Sequence, residues 1–366
     1  MRMKIPAPRG PVSTALFDLL RAPDAPAAEG LADLTEASRQ AARETADILR
    51  DEDLQLTLFC LYELHYSGLD GVSDSLEWHP GLVGLRLGLE EAFEAALRRV
   101  VPVPELPEPT GEAVAAELFR LAADDDGPAV SRYVASKATV EQLQEFLILR
   151  SVYQLKEADP HSWVIPRLPV GRAKAALIEI QADEYGGGRP ERMHSHLFAV
   201  TMKGLDLETE YGWYLDYVPA LTLASSNAMS LFGLNRRLRG AIAGHLAAFE
   251  MTSSIPNSFY ARGFRRLGFD DDVTYYFDEH VEADAVHEQI AARDLAGGLV
   301  ESDPGLLPDV LFGAATVLAL DALMGEDQLS AWQDGRSALR AADPAGASAQ
   351  AGGALAGAAL AEGVTP

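Results

Sequence analysis

The sequence predicts an all-α protein, and three observations carry that prediction. Apolar residues recur at helical spacing through most of the chain, the two-residue alternation of strands is scarce, and Pro or Gly clusters punctuate the periodic runs. With 366 residues, 48% of them hydrophobic, the chain can bury a sizeable core, and a helical bundle preceded by a helical N-terminal region is expected.

Residues 1–126 read as an accessory region with helices over 31–49, 53–66, 82–99 and 112–123, the last two separated by the proline-rich VPVPELPEPTG. ADDDGPAV, at 123–130, reads as a linker, because clustered Asp with Gly-Pro neither packs nor propagates a helix. Residues 131–328 read as the bundle, with helices over 140–156, 172–185, 193–202, 208–223, 227–234, 236–251, 257–267, 271–295 and 307–324. The stretch 335–366 is mostly Ala and Gly, cannot bury enough apolar surface to order itself, and reads as a disordered tail.

A net charge of -25 argues against nucleic acid or an anionic membrane as partner, since both need Lys/Arg patches. The single cysteine, Cys60, excludes an internal disulfide and a thiolate metal cluster, and reads as a buried inert thiol. MRMKIPAPRGPV lacks the apolar core of a secretion signal, so a cytoplasmic location is expected. The apolar run 306–325 is interrupted by Asp309 and Asp321 and reads as a buried core helix rather than a membrane span.

The chemistry concentrates in DEHVEADAVHE, residues 278–288, where two histidines and an aspartate stand as H-x3-D-x2-H. At about 100° per residue, His280, Asp284 and His287 share one helical stripe with Phe277, while Glu279, Glu282 and Glu288 occupy the opposite side. With 8 His and 55 acidic residues in the chain, roughly 0.03 chance occurrences of H-x3-[DE]-x2-H are expected. An inward carboxylate needs a hydrogen-bond partner or a metal, and a metal is the suspect.

Further ligands would come from facing helices. Glu184 follows Leu177 and Ile180 on an apolar stripe, and Glu250 follows Ala243 and Leu246 in the same way. Glu157, near the end of its helix, shares a face with Arg150 and Tyr153. The GGGRP break at 186–190 allows Glu184 to converge with a histidine downstream, either His194 or His196. His161 is left out because Pro160 biases Asp159 away from helical geometry. Carboxylate and imidazole donors without thiolate suit non-haem iron or manganese on bundle helices, and two such ions imply reductive O2 activation.

KEADPHSWVIPRL, IEIQADEYGGGRPERMHSHLF, the inward Glu250 and HVEADAVH, in that order and spacing, resemble the haem-oxygenase-like diiron oxidases and oxygenases, often described as iron-containing redox enzymes. The layout is similar to the N-oxygenase domains of N-nitrosourea biosynthesis, which also follow an N-terminal helical dimerisation region. The resemblance implies two Fe ions, O2 as co-substrate, a homodimer, a small-molecule substrate and an external electron donor. It assigns ligand roles to Glu157, Glu184, His194, Glu250, His280, Asp284 and His287, and so prefers His194 to His196. Members of the family act on small amine- or carboxylate-bearing compounds, by N-oxygenation, oxidative C–C cleavage or decarboxylation.

Tyr153, Tyr185, Trp213, Tyr214, Tyr217 and Met229 are candidates to line a substrate pocket, with Arg150 as anchor for a substrate carboxylate. Glu63, His65 and His79 lack helical spacing and read as structural. The rival to an oxidase is a metal-free helical docking module built on the same bundle.

Overall fold

The computed structural model describes residues 2–22, 28–102 and 104–341, so the part of the expected tail from 342 onward lies outside the described residues. Among the described residues there is no strand, and extended pairing is limited to one bridge between Met3 and Leu69. The N-terminal region contributes α1 (Pro11–Arg21), α2 (Ala28–Glu44), α3 (Glu52–Glu63), α4 (Pro80–Val100) and α5 (Gly111–Ala123). Helix α1 was not expected between its Pro-rich flanks; Pro11 occupies the first turn, where a missing N–H costs nothing, and Leu16, Phe17 and Leu20 form its buried face.

The remainder comprises α6 (Val130–Ser136), α7 (Val140–Gln154), α8 (Asp159–Ser162), α9 (Arg172–Glu184), α10 (His194–Gly204), α11 (Ala220–Leu234), α12 (Arg239–Met251), α13 (Ser254–Arg266), α14 (Asp271–Gln289), α15 (Gly298–Ser302) and α16 (Leu307–Gln333). The link at 124–129 is non-helical, as its composition dictates, yet buried apolar packing crosses it. Phe59, Leu85 and Phe93 from the first region belong to the same hydrophobic cluster as Phe232, Leu295 and Val310. A second cluster, with Phe146, Phe198, Phe264 and Phe277, lies around α7, α10, α13 and α14.

Two expectations are corrected. The helix expected over 208–223 starts only at Ala220; the preceding residues are turns and a short 3-10 segment, Leu215–Tyr217. Gly212 adopts φ 78°, with Met3 packed so closely that a Cβ would lie 2.3 Å from its side chain, and Pro219 holds Val218 extended. Residues 335–341, expected in the tail, are held on the body, where Arg340 N donates to the Tyr217 carbonyl at 2.8 Å and Ala338 N to Glu145 at 2.9 Å.

The expected helix 271–295 is continuous but not uniform: α14 passes into a π-helical segment, Ile290–Gly297, three residues after His287. Such bulges cost hydrogen-bond geometry and are found mostly at functional sites. The segment Pro304–Gln333 is long and apolar enough to cross a membrane, yet 61% of its most apolar window is buried inside the protein, as the sequence led us to expect.

Helix α12, which carries Glu250, is fixed against α16 by backbone contact. A Cβ on Gly244 would lie 1.8 Å from the Val310 carbonyl oxygen, and one on Gly313 would lie 1.8 Å from that of Ala241. No rotamer change relieves a clash with backbone, so the helices must separate. Gly244→Ala and Gly313→Ala are each expected to cost about 1–3 kcal/mol or more, read as a fall in the urea midpoint. An unchanged midpoint would mean that the two helices part freely.

Candidate metal centre

Each functional side chain sits at an interruption of helix or on an inward stripe. Glu157 lies in the turn after α7, where Ala158 takes the left-handed conformation with φ 77° before α8 begins. Glu184 is the last residue of α9 and His194 the first of α10. Between them Gly186, Gly187 and Gly188 all have positive φ, and a Cβ on Gly186 would meet the Arg192 and Met193 backbone at 2.6 Å. Only glycine allows this reversal, which returns His194 Nδ1 to within 2.9 Å of Glu184 Oε2. His194 is buried whereas His196 is exposed. Glu250 comes from α12, and His280, Asp284 and His287 all face inward from α14.

Six of the seven expected residues converge into two groups. Glu157, Glu184, His194 and His280 place one donor atom each within 4.8 Å of one another, and so do Glu184, Glu250 and His287. Glu184 is common to both. Asp284 belongs to neither group: its Oδ2 accepts a 2.5 Å hydrogen bond from Ser253 Oγ, and it lines the cavity of about 20 Å³ that lies between the carboxylates.

The donor set fits metal ions better than it fits itself. Among the described residues, His194 Nδ1 and His287 Nδ1 are buried without a hydrogen-bond partner, although Glu184 and Glu250 oxygens stand 2.9 Å and 3.4 Å away. The carboxylates approach off the line of a ring N–H, so proximity here is not hydrogen bonding. Nitrogen and oxygen lone pairs that face a shared point, without sulfur, are the donors iron or manganese takes.

Without a cation the charges compensate one another. Burial would raise the Glu184 carboxyl, but His194, with help from His280 and His287, overrides it and holds the group at about 2. Burial disfavours the charged imidazoles, yet Glu157 lifts His280 to about 10 and Glu250 lifts His287 to about 9. Asp284 is pushed up to about 8 by burial and by the Glu250 charge.

A second layer orients these groups. Tyr276 OH donates to Glu157 at 3.0 Å to each carboxylate oxygen. His280 Nδ1 donates to the Tyr276 carbonyl at 2.7 Å, which leaves Nε2 to face Glu157 at 3.8 Å. His287 turns its Nε2 to Asp183 Oδ2 at 3.1 Å. Asp183 lies off the inward stripe of α9, so spacing does not single it out; its role appears only once α14 approaches. The buried pair of His161 and His245, 3.2 Å apart, was also missed, and His161 lines the small cavity after all.

That small cavity meets a larger one of about 630 Å³, with Tyr153, Glu157, Phe249, Ser253 and His280 on both walls. Of the expected lining residues, Tyr153 and Met229 face it, and Arg150 does as well. Tyr185, Trp213, Tyr214 and Tyr217 do not; Tyr185 bonds Asp159 at 2.7 Å, Trp213 stacks on Lys4, and Tyr214 OH accepts from Glu208 N at 2.9 Å. Glu63 pairs with buried Lys156 and accepts from Tyr211 OH at 2.8 Å, His79 caps α4, and His65 packs on Trp78. Cys60 is fully buried, which holds its thiol well above the ordinary range.

Tyr276→Phe removes the one hydroxyl that, among the described residues, bonds Glu157, and is expected to lower the stability of the metal-free protein by about 1–3 kcal/mol. The loss should shrink when metal is added. Equal stability of variant and parent in urea, without metal, would show that Glu157 finds its compensation elsewhere.

Residues 144–322 match the family model described as iron-containing redox enzyme. A nitrosourea synthase from Streptomyces achromogenes subsp. streptozoticus is 29% identical over 174 residues, which cover 46% of this chain and 37% of that protein. The chain therefore spans little more than a third of that relative's length. The matched segment contains every residue of the two donor groups. Residues 144–322, which carry this haem-oxygenase-like all-α arrangement, are thus similar to the iron-containing redox enzymes.

Proposed function

We propose that the protein is a non-haem diiron oxidase or oxygenase that uses O2 to oxidise a small amine- or carboxylate-bearing metabolite, by N-oxygenation or oxidative C–C cleavage. The observation that carries the reading is the pair of donor groups joined at Glu184, inside the segment that matches an iron-containing redox family. Glu157, Glu184, His194 and His280 would hold one ion, and Glu184, Glu250 and His287 the other, with Asp284 beside them. When bound, a ferrous pair supplies two electrons to O2 while the substrate gives two more; with two protons, one oxygen atom enters the product and the other leaves as water.

The chain's own groups do the positioning. Tyr276 and the backbone carbonyl it carries hold Glu157 and His280, Asp183 aims His287, and Ser253 keeps the Asp284 carboxylate turned toward the small cavity. Leu246, Phe249 and Tyr153 give that cavity apolar walls that limit water, which strengthens every charge interaction inside. An external donor to restore the reduced ions and a homodimer formed through the N-terminal region belong to the same reading.

Anaerobic titration with Fe(II) is expected to saturate near two equivalents, and O2 should then be consumed. Glu184→Ala should abolish tight uptake of both ions, whereas Glu250→Ala should spare one. Retention of no iron, or of iron without any O2 consumption, overturns the reading in favour of a docking module or a hydrolase. Asp183→Asn, which leaves His287 without its charged partner, should weaken uptake about 10–100-fold, measured by competition with a chelator.

A further inference from the structure

The larger cavity meets solvent along one short stretch of chain. Residues 125–129, in the non-helical link between α5 and α6, all line it, and all but Gly127 are exposed. Elsewhere on its walls, among the described residues, only Arg132, Ile255 and Asp321 are exposed. The interior, with Tyr153, Ser226 and Met229, is buried. A molecule bound there has to pass this rim.

The stretch lies in a slot between two helices. Helix α6 runs beside α13 in the same direction, with Arg132 over Phe259, the Val134 carbonyl against Gly263, and the Ala138 carbonyl on Arg266. Carried back one turn, that register sets residues 127 and 128 beside Ile255 and Pro256, which also line the cavity. On the other side is α16. A Cβ on Gly127 would lie 3.7 Å from the Ala322 Cβ, and one on Gly325 would lie 3.5 Å from the Pro128 ring.

Both ends of the stretch are fastened, but its middle is not. Gly111 N donates to Glu301 at 2.9 Å and a Cβ on Gly297 would lie 2.8 Å from the Gly111 Cα, so α5 is pressed onto the π-helical segment. Arg266 holds α6 through the Val134, Ala135 and Ala138 carbonyls, at 3.3, 3.1 and 2.6 Å. Between these anchors the backbone bonds locally: Gly127 N donates to Asp125 at 3.2 Å, and Val130 N to the Pro128 carbonyl at 2.8 Å. Among the described residues, no hydrogen bond or ion pair joins 125–129 to α13 or α16. Lifting the middle therefore breaks only a few van der Waals contacts, and segments of this kind open at low free energy. We propose that residues 125–129 are a gating strap, which lifts from α16 to admit a small molecule to the larger cavity and settles back over it. A settled strap limits water beside Glu157 and His280, which both cavities share. The strap stands on the cavity and the link alone, so its test uses the metal-free protein and leaves the diiron reading untouched.

Ser226→Cys places a near-isosteric thiol on the buried wall, and the native Cys60, fully buried, gives a silent background. The rate at which N-ethylmaleimide modifies that thiol, read by mass spectrometry of its peptide, reports how often the mouth opens. In the same protein, Gly127→Cys with Ala322→Cys joins the strap to α16 on oxidation, because a 3.7 Å separation of Cβ atoms suits a disulfide. The cross-link is expected to slow modification at least about tenfold, and reduction to restore the rate. Pro128→Gly, which frees the strap backbone, should raise the rate about two- to fivefold. Free-thiol titration in denaturant confirms the cross-link, and far-UV circular dichroism confirms that each variant is folded. A rate that the cross-link leaves unchanged overturns the proposal, because molecules then reach the cavity by another route. A thiol that stays unreactive in the Pro128→Gly protein overturns it as well.

Discussion

Four carboxylates and three imidazoles buried within reach of one another set the terms for the rest of this structure. An isolated buried carboxylate neutralises itself or finds a counter-charge. Here Glu184 stays ionised because three imidazoles surround it, while burial, reinforced by a neighbouring acid, drives Glu250 and Asp284 upward. That balance is incomplete, since two histidine nitrogens remain without partners. A cluster of this composition is more comfortable around cations than around protons, which is why its arrangement in two groups joined at one glutamate carries the functional reading.

The fold meets that demand by departing from regular helix where the candidate ligands lie. Glu157 follows a left-handed alanine, Glu184 and His194 flank three left-handed glycines, and the α14 stripe ends in a π-helical segment. Each departure is held by tightly packed neighbours. Glycine contacts lock α12 to α16, and the buried pair of Glu63 and Lys156 ties α3 to the turn that carries Glu157. The N-terminal region thus braces the metal end of the bundle, at the cost of an ion pair taken out of water.

The two cavities divide the labour implied by the proposed chemistry. The small one, walled by carboxylates and apolar side chains, leaves little room for bulk water beside the reacting centre. The large one has space for a whole small molecule and shares Glu157 and His280 with the small one.

Periodicity is a local property, and whatever depended on it was legible in the chain. The stripe of His280, Asp284 and His287, the inward faces of Glu184 and Glu250, the break at GGGRP, and the buried character of the 307–324 helix all follow from spacing along a helix. Spacing left His194 and His196 open, and only resemblance preferred the first; the burial of one and exposure of the other come from the face that α10 turns to α14. Tertiary contact also decided what no window of sequence contains. Met3 approaching Gly212 unwinds an expected helix, Asp183 becomes the partner of His287 across the interface of α9 and α14, Asp284 is drawn aside by Ser253, and Arg150 and Asp321 come to face one cavity from distant positions in the sequence. A residue's helical face is set by its neighbours in the chain, but what that face meets is set by packing between distant segments.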